Sequence, residues 1–208
     1  MEKHIESLPN IQEIADAINS AVKDACVTVS RNPAPAEQHS LLLSSSKAKE
    51  CAQWLKSESP WKFDYLSNVT GNDWPEDLIT KQAKKKPVID ADDAGMHSCL
   101  EAIYHLYSIS KSLGPLVIRM RTKDRADCVQ LPSLTPVWRS AELQEREIFD
   151  LYGIQFEDHP DLRRLLMWDE YEDHPMRKDY VEPDDYEYEP TPHDEVLKKN
   201  QANPGGSV

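Results

Sequence analysis

Two alternating runs, LEAIYHLYSIS at 100–110 and PLVIRMR at 115–121, meet across the short turn Leu113–Gly114–Pro115. Successive side chains of a strand point to opposite faces. Ile103, His105, Tyr107 and Ile109 therefore share one face of the first run, with Tyr104 and Leu106 on the other. In the second, Leu116, Ile118 and Met120 oppose Val117, Arg119 and Arg121. Two such runs so close together predict an antiparallel hairpin, and any fold must be built around it.

The rest of the chain supplies partners for that hairpin. From Asn10 to Ala25 the positions Ile11, Ile14, Ala15, Ile18, Ala21 and Val22 recur at helical spacing, with Asn10 as N-cap. CVTVS (26–30) and HSLLLSS (39–45) read as short strands separated by the Pro-broken turn RNPAPAEQ, and a second helix spans 46–57 through Ala48, Cys51, Ala52 and Leu55. FDYLSNVTGNDW (63–74) reads as a segment closing against the sheet, and the basic-then-acidic stretch 80–96 as an exposed loop or hairpin tip. A third helix, SAELQEREIFDLYG, starts with Ser140 as N-cap and stops at Gly153. The apolar set Leu143, Ile148, Phe149, Leu151 and Tyr152 is expected to hold it to the body, while Glu142, Arg146 and Asp150 fall at i, i+4 and i+8 as a charge ladder. Glu145 and Glu147 point elsewhere, so no catalytic carboxylate pair is expected here.

These elements all fall within 1–180, which reads as one domain. Residues 181–208 read as a separate tail: seven acids and no Lys or Arg lie between 182 and 195, with little to bury, so it is expected to be extended or disordered. The net charge of -13 argues against nucleic acid and anionic lipid as main partners. Four scattered cysteines form no CxxC, which disfavours a zinc or iron–sulfur site and suits a reducing compartment. MEKHIESLPN has no apolar signal region and no run approaches the roughly 20 apolar residues of a membrane span, so a soluble chain is expected.

The chemistry-bearing residues concentrate in EDHPDLRRLLMWDEYEDHPMRKDY (157–180), where EDHP occurs twice and each copy is followed by a basic pair, Arg163–Arg164 and Arg177–Lys178. His159 and His174 suggest a divalent metal site in a free-standing enzyme. Yet each precedes a proline that forces extended geometry, and the following cations repel a metal ion. The basic pairs could bind phosphate, but no Gly-rich loop accompanies them, and arginine forks meet carboxylates equally well.

EREIFDLYGIQFEDHPDLRRLLM (145–167), continued by HPMRKDY (174–180), resembles the 30 kDa subunit family of respiratory complex I, the C-type subunit of the proton-pumping NADH–quinone oxidoreductase. LPSLTPVWRSA (131–141) and FDYLSNVTGND (63–73) resemble its flanking blocks. Asp158 and Asp173 stand where that family usually has glycine, and Leu143 where it usually has tryptophan. The resemblance implies an α+β domain over 1–180, two layers with helices packed on a mixed β-sheet, and a non-redox structural subunit of the peripheral arm. It also implies docking in a hetero-oligomer on a 49 kDa-like subunit and iron–sulfur subunits, with NADH, FMN, clusters and quinone on those other chains. Membrane association would be indirect, on the cytoplasmic side of a bacterial inner membrane. Glu145, Arg146, Glu147, His159, Pro160, Arg163, Arg164, His174, Pro175, Arg177, Lys178, Asp179 and Tyr180 would contribute contacts to partners rather than turnover. The same module serves related membrane-bound hydrogenases and ferredoxin- or F420-linked quinone reductases, which sequence separates poorly.

Overall fold

The computed structural model describes residues 9–32, 38–85 and 97–181; expectations for 33–37, 86–96 and the tail at 182–208 lie outside them. The first helix, α1 (Ile11–Ala21), begins where the Asn10 side chain accepts the Gln12 amide at 3.0 Å, a cap that contributes about 1 kcal/mol. It ends earlier than its periodicity suggests. Asn19 accepts from the Val27 amide and donates to the Val27 carbonyl, and Asp24 sits at φ 61, so the chain reverses under the helix. The strands β1 (Thr28–Ser30) and β2 (Ser40–Leu43) follow, then α2 (Ala48–Ser57), whose Ala48, Cys51, Ala52 and Leu55 are buried as their spacing predicts.

The segment at 63–74 does not merely close against the sheet. Its larger part is β3 (Tyr65–Trp74), a full edge strand with one register irregularity between Leu66 and Asn68. Residues 80–85 likewise belong not to a loop but to the end of α3 (Glu76–Lys85). The predicted hairpin is present as β4 (Cys99–Ser108) and β5 (Leu113–Arg121). Its turn lies earlier than Leu113–Gly114–Pro115, because Leu113 already pairs with Ser108 and the chain reverses over 109–112. Beyond it come β6 (Gln130–Pro132), α4 (Ala141–Tyr152) and β7 (Gln155–Glu157).

The main sheet has the order β1-β2-β5-β4-β3, with β2 parallel to β5 and the other neighbours antiparallel. The mixed α+β architecture is therefore as expected. β6 and β7 form a small parallel pair. One face of the sheet carries Leu41, Leu43, Leu66, Val69, Ala102, Tyr104, Leu106, Leu116, Ile118 and Met120 into the core beside α1, α2 and α4. Each large apolar side chain removed from water there contributes about 1.5–3 kcal/mol. On the other face Glu101 is buried, accepting from the Trp74 indole at 3.0 Å, Arg119 at 3.2 Å and Arg121 at 2.9 Å.

The long edge of β3 is closed by α4. Gln144 accepts the Val69 amide at 2.6 Å, and Ser140 donates to the Leu66 carbonyl at 3.0 Å. Ser140 thus makes no side-chain cap of its helix, contrary to expectation. Gly71 lies under the Tyr152 ring, and a Cβ there would stand 2.5 Å from two ring carbons. An unpaired strand edge invites other chains; here α4 covers it and is fixed over the sheet at the same time.

Candidate functional site

Helix α4 buries three charged residues, Glu145, Arg146 and Asp150. Buried charges are tolerated only when paired or hydrogen-bonded, so each must have a dedicated set of partners. Glu145 accepts from the Ser133 hydroxyl at 2.6 Å, the Leu134 amide at 2.8 Å, the Tyr104 hydroxyl at 3.0 Å and the Thr135 hydroxyl at 3.1 Å. It ties β4 and the 133–135 loop to the helix. Burial pushes its carboxyl above the usual range against the pull of those donors.

The predicted ladder of Glu142, Arg146 and Asp150 does not form; each finds a partner off the helix. Glu142 lies 3.6 Å from Arg139. Arg146 donates to the carbonyls of Arg163 and Arg164, both at 3.0 Å, with Asp161 at 3.7 Å. Asp150 receives the consecutive amides of Leu165, Leu166 and Met167 at 3.0, 2.7 and 2.9 Å on one oxygen, and Arg164 at 2.6 Å on the other. A carboxylate in such a nest of amides is strongly held in its charged form. Burial works against ionisation, but those amides and Arg164 outweigh it and hold the Asp150 carboxyl below the usual range.

A helix leaves its last carbonyls without partners inside the helix, and at α4 the residues after Gly153 supply them. Gly153, at φ 81, bonds the Phe149 carbonyl at 2.9 Å. The Asp150 carbonyl takes His174 Nδ1 at 3.0 Å and Arg164 at 3.2 Å, Leu151 takes the Met176 amide at 3.0 Å, and Tyr152 takes Arg177 at 2.8 Å. Two arginines at the negative end of the helix dipole add a favourable electrostatic contribution. At the other His-Pro turn, His159 Nδ1 accepts the Asp161 amide at 3.1 Å, so its Nε2 carries the proton it donates to the Glu142 carbonyl at 2.9 Å. The two histidines present opposite ring nitrogens to carbonyls of one helix.

A second anchor holds the far end. Arg125 grips Asp73 of β3 through Nε at 2.5 Å and Nη2 at 2.8 Å, and reaches Asp179 at 2.8 Å. Asp73 also accepts the Lys178 amide at 2.7 Å, while the Tyr180 and Tyr171 hydroxyls meet at 2.8 Å. Residues 158–180 are therefore a strap laid over α4 and tied down at both ends.

The structure brings the sequence-predicted residues together but splits each basic pair. Arg164 and Arg177 turn inward, with side chains 12% and 13% exposed, whereas Arg163 is 70% exposed and Lys178 is exposed. Glu147, Pro160 and Asp179 also face outward; Glu145 and Arg146 are buried, and His159, His174, Pro175 and Tyr180 are half-buried. Leu143, expected to hold the helix to the body, is 55% exposed. Among the described residues no group of three or more His, Cys, Asp or Glu side chains could hold a metal ion. Sequence reasoning missed Asp73, although it ends the block FDYLSNVTGND, Arg125, which carries no motif, and the exposed Leu165, Leu166, Trp168 and Met176. The run LLMW directly after Arg163–Arg164 was the available signal for the latter.

The model of the family described as respiratory-chain NADH dehydrogenase, 30 Kd subunit, matches residues 41–186. The C 2 subunit of NADH-quinone oxidoreductase from Rhizobium etli is 38% identical over 122 residues, 58% of this chain and 52% of that one. The corresponding C subunit from Coxiella burnetii is 30% identical over 167 residues, 74% of this chain and 71% of that one. A C/D subunit of NADH-quinone oxidoreductase from Phocaeicola vulgatus is 34% identical over 118 residues, 57% of this chain and 18% of that one. The chain spans about half the length of the first of these relatives.

Proposed function

The chain belongs to the respiratory-chain NADH dehydrogenase 30 Kd subunit family, and on that premise we propose that it is a structural, non-redox C-type subunit in the peripheral arm of a NADH–quinone oxidoreductase. The observation that carries this reading is how the family signature is used. His174 and Arg177 bond carbonyls of α4, Arg164 bonds the Asp150 carboxylate, and Arg146 of α4 bonds carbonyls of the strap in return, so the product is a fixed shape rather than a set of reacting groups. NADH, FMN, iron–sulfur clusters and quinone then belong to neighbouring chains, and this subunit braces the arm where electrons reach quinone.

The principal neighbour is a D-type, 49 kDa-like subunit, with iron–sulfur subunits beside it. The C/D relative supports this, since its name joins the two types in one chain. Domains joined in one chain meet at high effective concentration. Among the described residues no helix is long and apolar enough to cross a membrane. Attachment through the complex, on the cytoplasmic face of a bacterial inner membrane, follows from the family reading.

Purification of the tagged chain from mild-detergent membranes tests the proposal. The expected companions are the D-type and iron–sulfur subunits together with an NADH-oxidising module. Recovery with hydrogenase or ferredoxin-linked input subunits would move the chain to a related complex. NADH oxidation or stoichiometric iron in the isolated chain would end the non-redox reading.

A further inference from the structure

Leu165, Leu166, Trp168 and Met176 are 37%, 62%, 50% and 48% exposed, and they are not scattered. The amides of Leu165, Leu166 and Met167 end on the Asp150 carboxylate, and the Met176 amide ends on the carbonyl of the next residue, Leu151. Trp168 packs edge-on against Tyr171 with centroids 4.7 Å apart; Tyr171 is 4% exposed and lies beneath the Arg164 guanidinium at 5.4 Å. Arg164 itself bonds Asp150. One buried carboxylate thus fixes the backbone under an apolar ridge, which limits the entropy lost when a partner covers it. Trp and Met are enriched at the centres of protein interfaces, and a rigid Trp is a frequent energetic anchor.

The charge around the ridge selects among occupants. Asp169, Glu170, Glu172 and Asp173 are all exposed, and residues 165–176 contain no Lys or Arg. None of the four makes an ion pair with another described residue. An acidic rim repels an anionic lipid surface, and a second copy of a chain of net charge -13 meets it with the same sign. We propose that this ridge is a docking surface for a protein face that is apolar at its centre and rimmed by Lys and Arg, carried by the D-type neighbour. The inference rests on the subunit reading above and adds to it the surface and its chemistry.

The test measures binding of the purified full chain to its D-type partner over a salt series. The double variant Leu166→Ala/Trp168→Ala should weaken binding by about 30-fold or more, the size of a hot-spot loss. Asp169→Lys/Glu170→Lys should weaken it about tenfold, chiefly through slower association, and flatten its salt dependence. Both pairs are exposed, so melting temperatures should stay close to the parent's. If the unaltered chain fails to bind a D-type partner, the subunit reading falls and this inference with it. If it binds and the double variant binds within threefold, only the surface is wrong. Charge reversal that leaves affinity and salt dependence unchanged overturns the basic-rimmed partner. Self-association or binding to anionic vesicles that the double variant abolishes would install a different occupant and overturn the proposal.

Discussion

The sheet body is held by Ile14, Ile18, Leu55, Phe63 and Ile118, each at 0% exposure, whereas the strap at 158–180 buries Tyr171 and attaches mainly through polar anchors on α4, β3 and the 122–128 loop. Burial of apolar surface is non-directional, so the body tolerates modest repacking. Hydrogen bonds to named carbonyls and amides fix positions, so the strap is specified at a few points and is sensitive to each. Such a segment can open while the core stays closed. A surface meant for a partner is best carried on the second kind of construction, and the exposed ridge lies there.

The largest expected effect comes from the anchor with most bonds. Asp150→Ala leaves three amides without their acceptor and Arg164 without its ion pair, and stranding one partner of a buried pair costs about 3–5 kcal/mol. Hydrogen exchange should show the amides of 165–167 and 176–178 losing protection while β4 and β5 keep theirs. Leu55→Ala, at a fully buried site, should cost about 2–5 kcal/mol and lower protection everywhere. Uniform loss of protection in Asp150→Ala would break the comparison, because strap and body would then unfold as one unit.

The seam between the regions comes next. Gly71→Ala drives a Cβ to 2.5 Å from the Tyr152 ring, and overpacking of this kind costs about 1–3 kcal/mol. Chemical denaturation should report that loss. Tyr152→Leu in the same background should restore part of it, since the clash is with ring carbons; no recovery would mean that β3 and α4 are held apart by something else.

Acidification separates the regions further. Burial holds the His174 imidazole below its ordinary 6.5, the nearby Arg177 and Arg164 charges add to that, and the Asp150 carbonyl works in the opposite sense. The unfolded chain therefore takes up the proton first, so the ring's contribution is complete above pH 6.5 and is lost as pH falls below it. Asp150 follows lower down: its depressed pKa means that its contribution is present above 3.8 and is lost as pH falls through the folded value. His105, on the sheet, is lowered in the same direction by burial and Arg119, so a whole-protein melt mixes the two. Exchange at 176–178 should isolate the strap, and His174→Asn, whose amide can still donate to the Asp150 carbonyl, should flatten the strap's response below pH 6.5. An unchanged response would assign it to another group.

These contrasts also explain what the sequence could reveal. The β4–β5 hairpin and α2 were legible because apolar periodicity reports a buried face directly, and the stop of α4 because Gly153 takes a left-handed conformation. β3 was not, because its edge position mixes Asn, Thr, Gly and Asp with apolar residues, and the groups that close its outer edge, Ser140 and Gln144, lie 74 and 75 positions from their partners. Within the strap, composition marked Arg164 and Arg177 as cations but could not say that they face inward. That depends on where the last carbonyls of α4 point. The Asp73–Arg125 clamp joins residues with no shared motif and is visible only once the fold has brought them together.

The smallest effect bears on the doubled EDHP. Asp158 sits at φ 61, a conformation costing an ordinary residue about 1–2 kcal/mol and Asp somewhat less, whereas Asp173 is not among the residues with positive φ. Glycine at 158 relieves that strain, but it gives up an exposed ion pair with Lys49 worth about 0–1 kcal/mol and loses more backbone entropy on folding. Asp158→Gly should therefore shift stability by less than about 1 kcal/mol in either direction, while Asp158→Val should lose about 1–2 kcal/mol. Asp173→Gly relieves nothing and carries the entropic cost alone, about 0.5–1 kcal/mol, felt first in the strap. Equal responses at 158 and 173 would make the two copies one structural device. Unequal ones would show that the echo holds only in sequence: the first Asp occupies a turn whose backbone suits glycine, and the second an ordinary position before a histidine that caps α4.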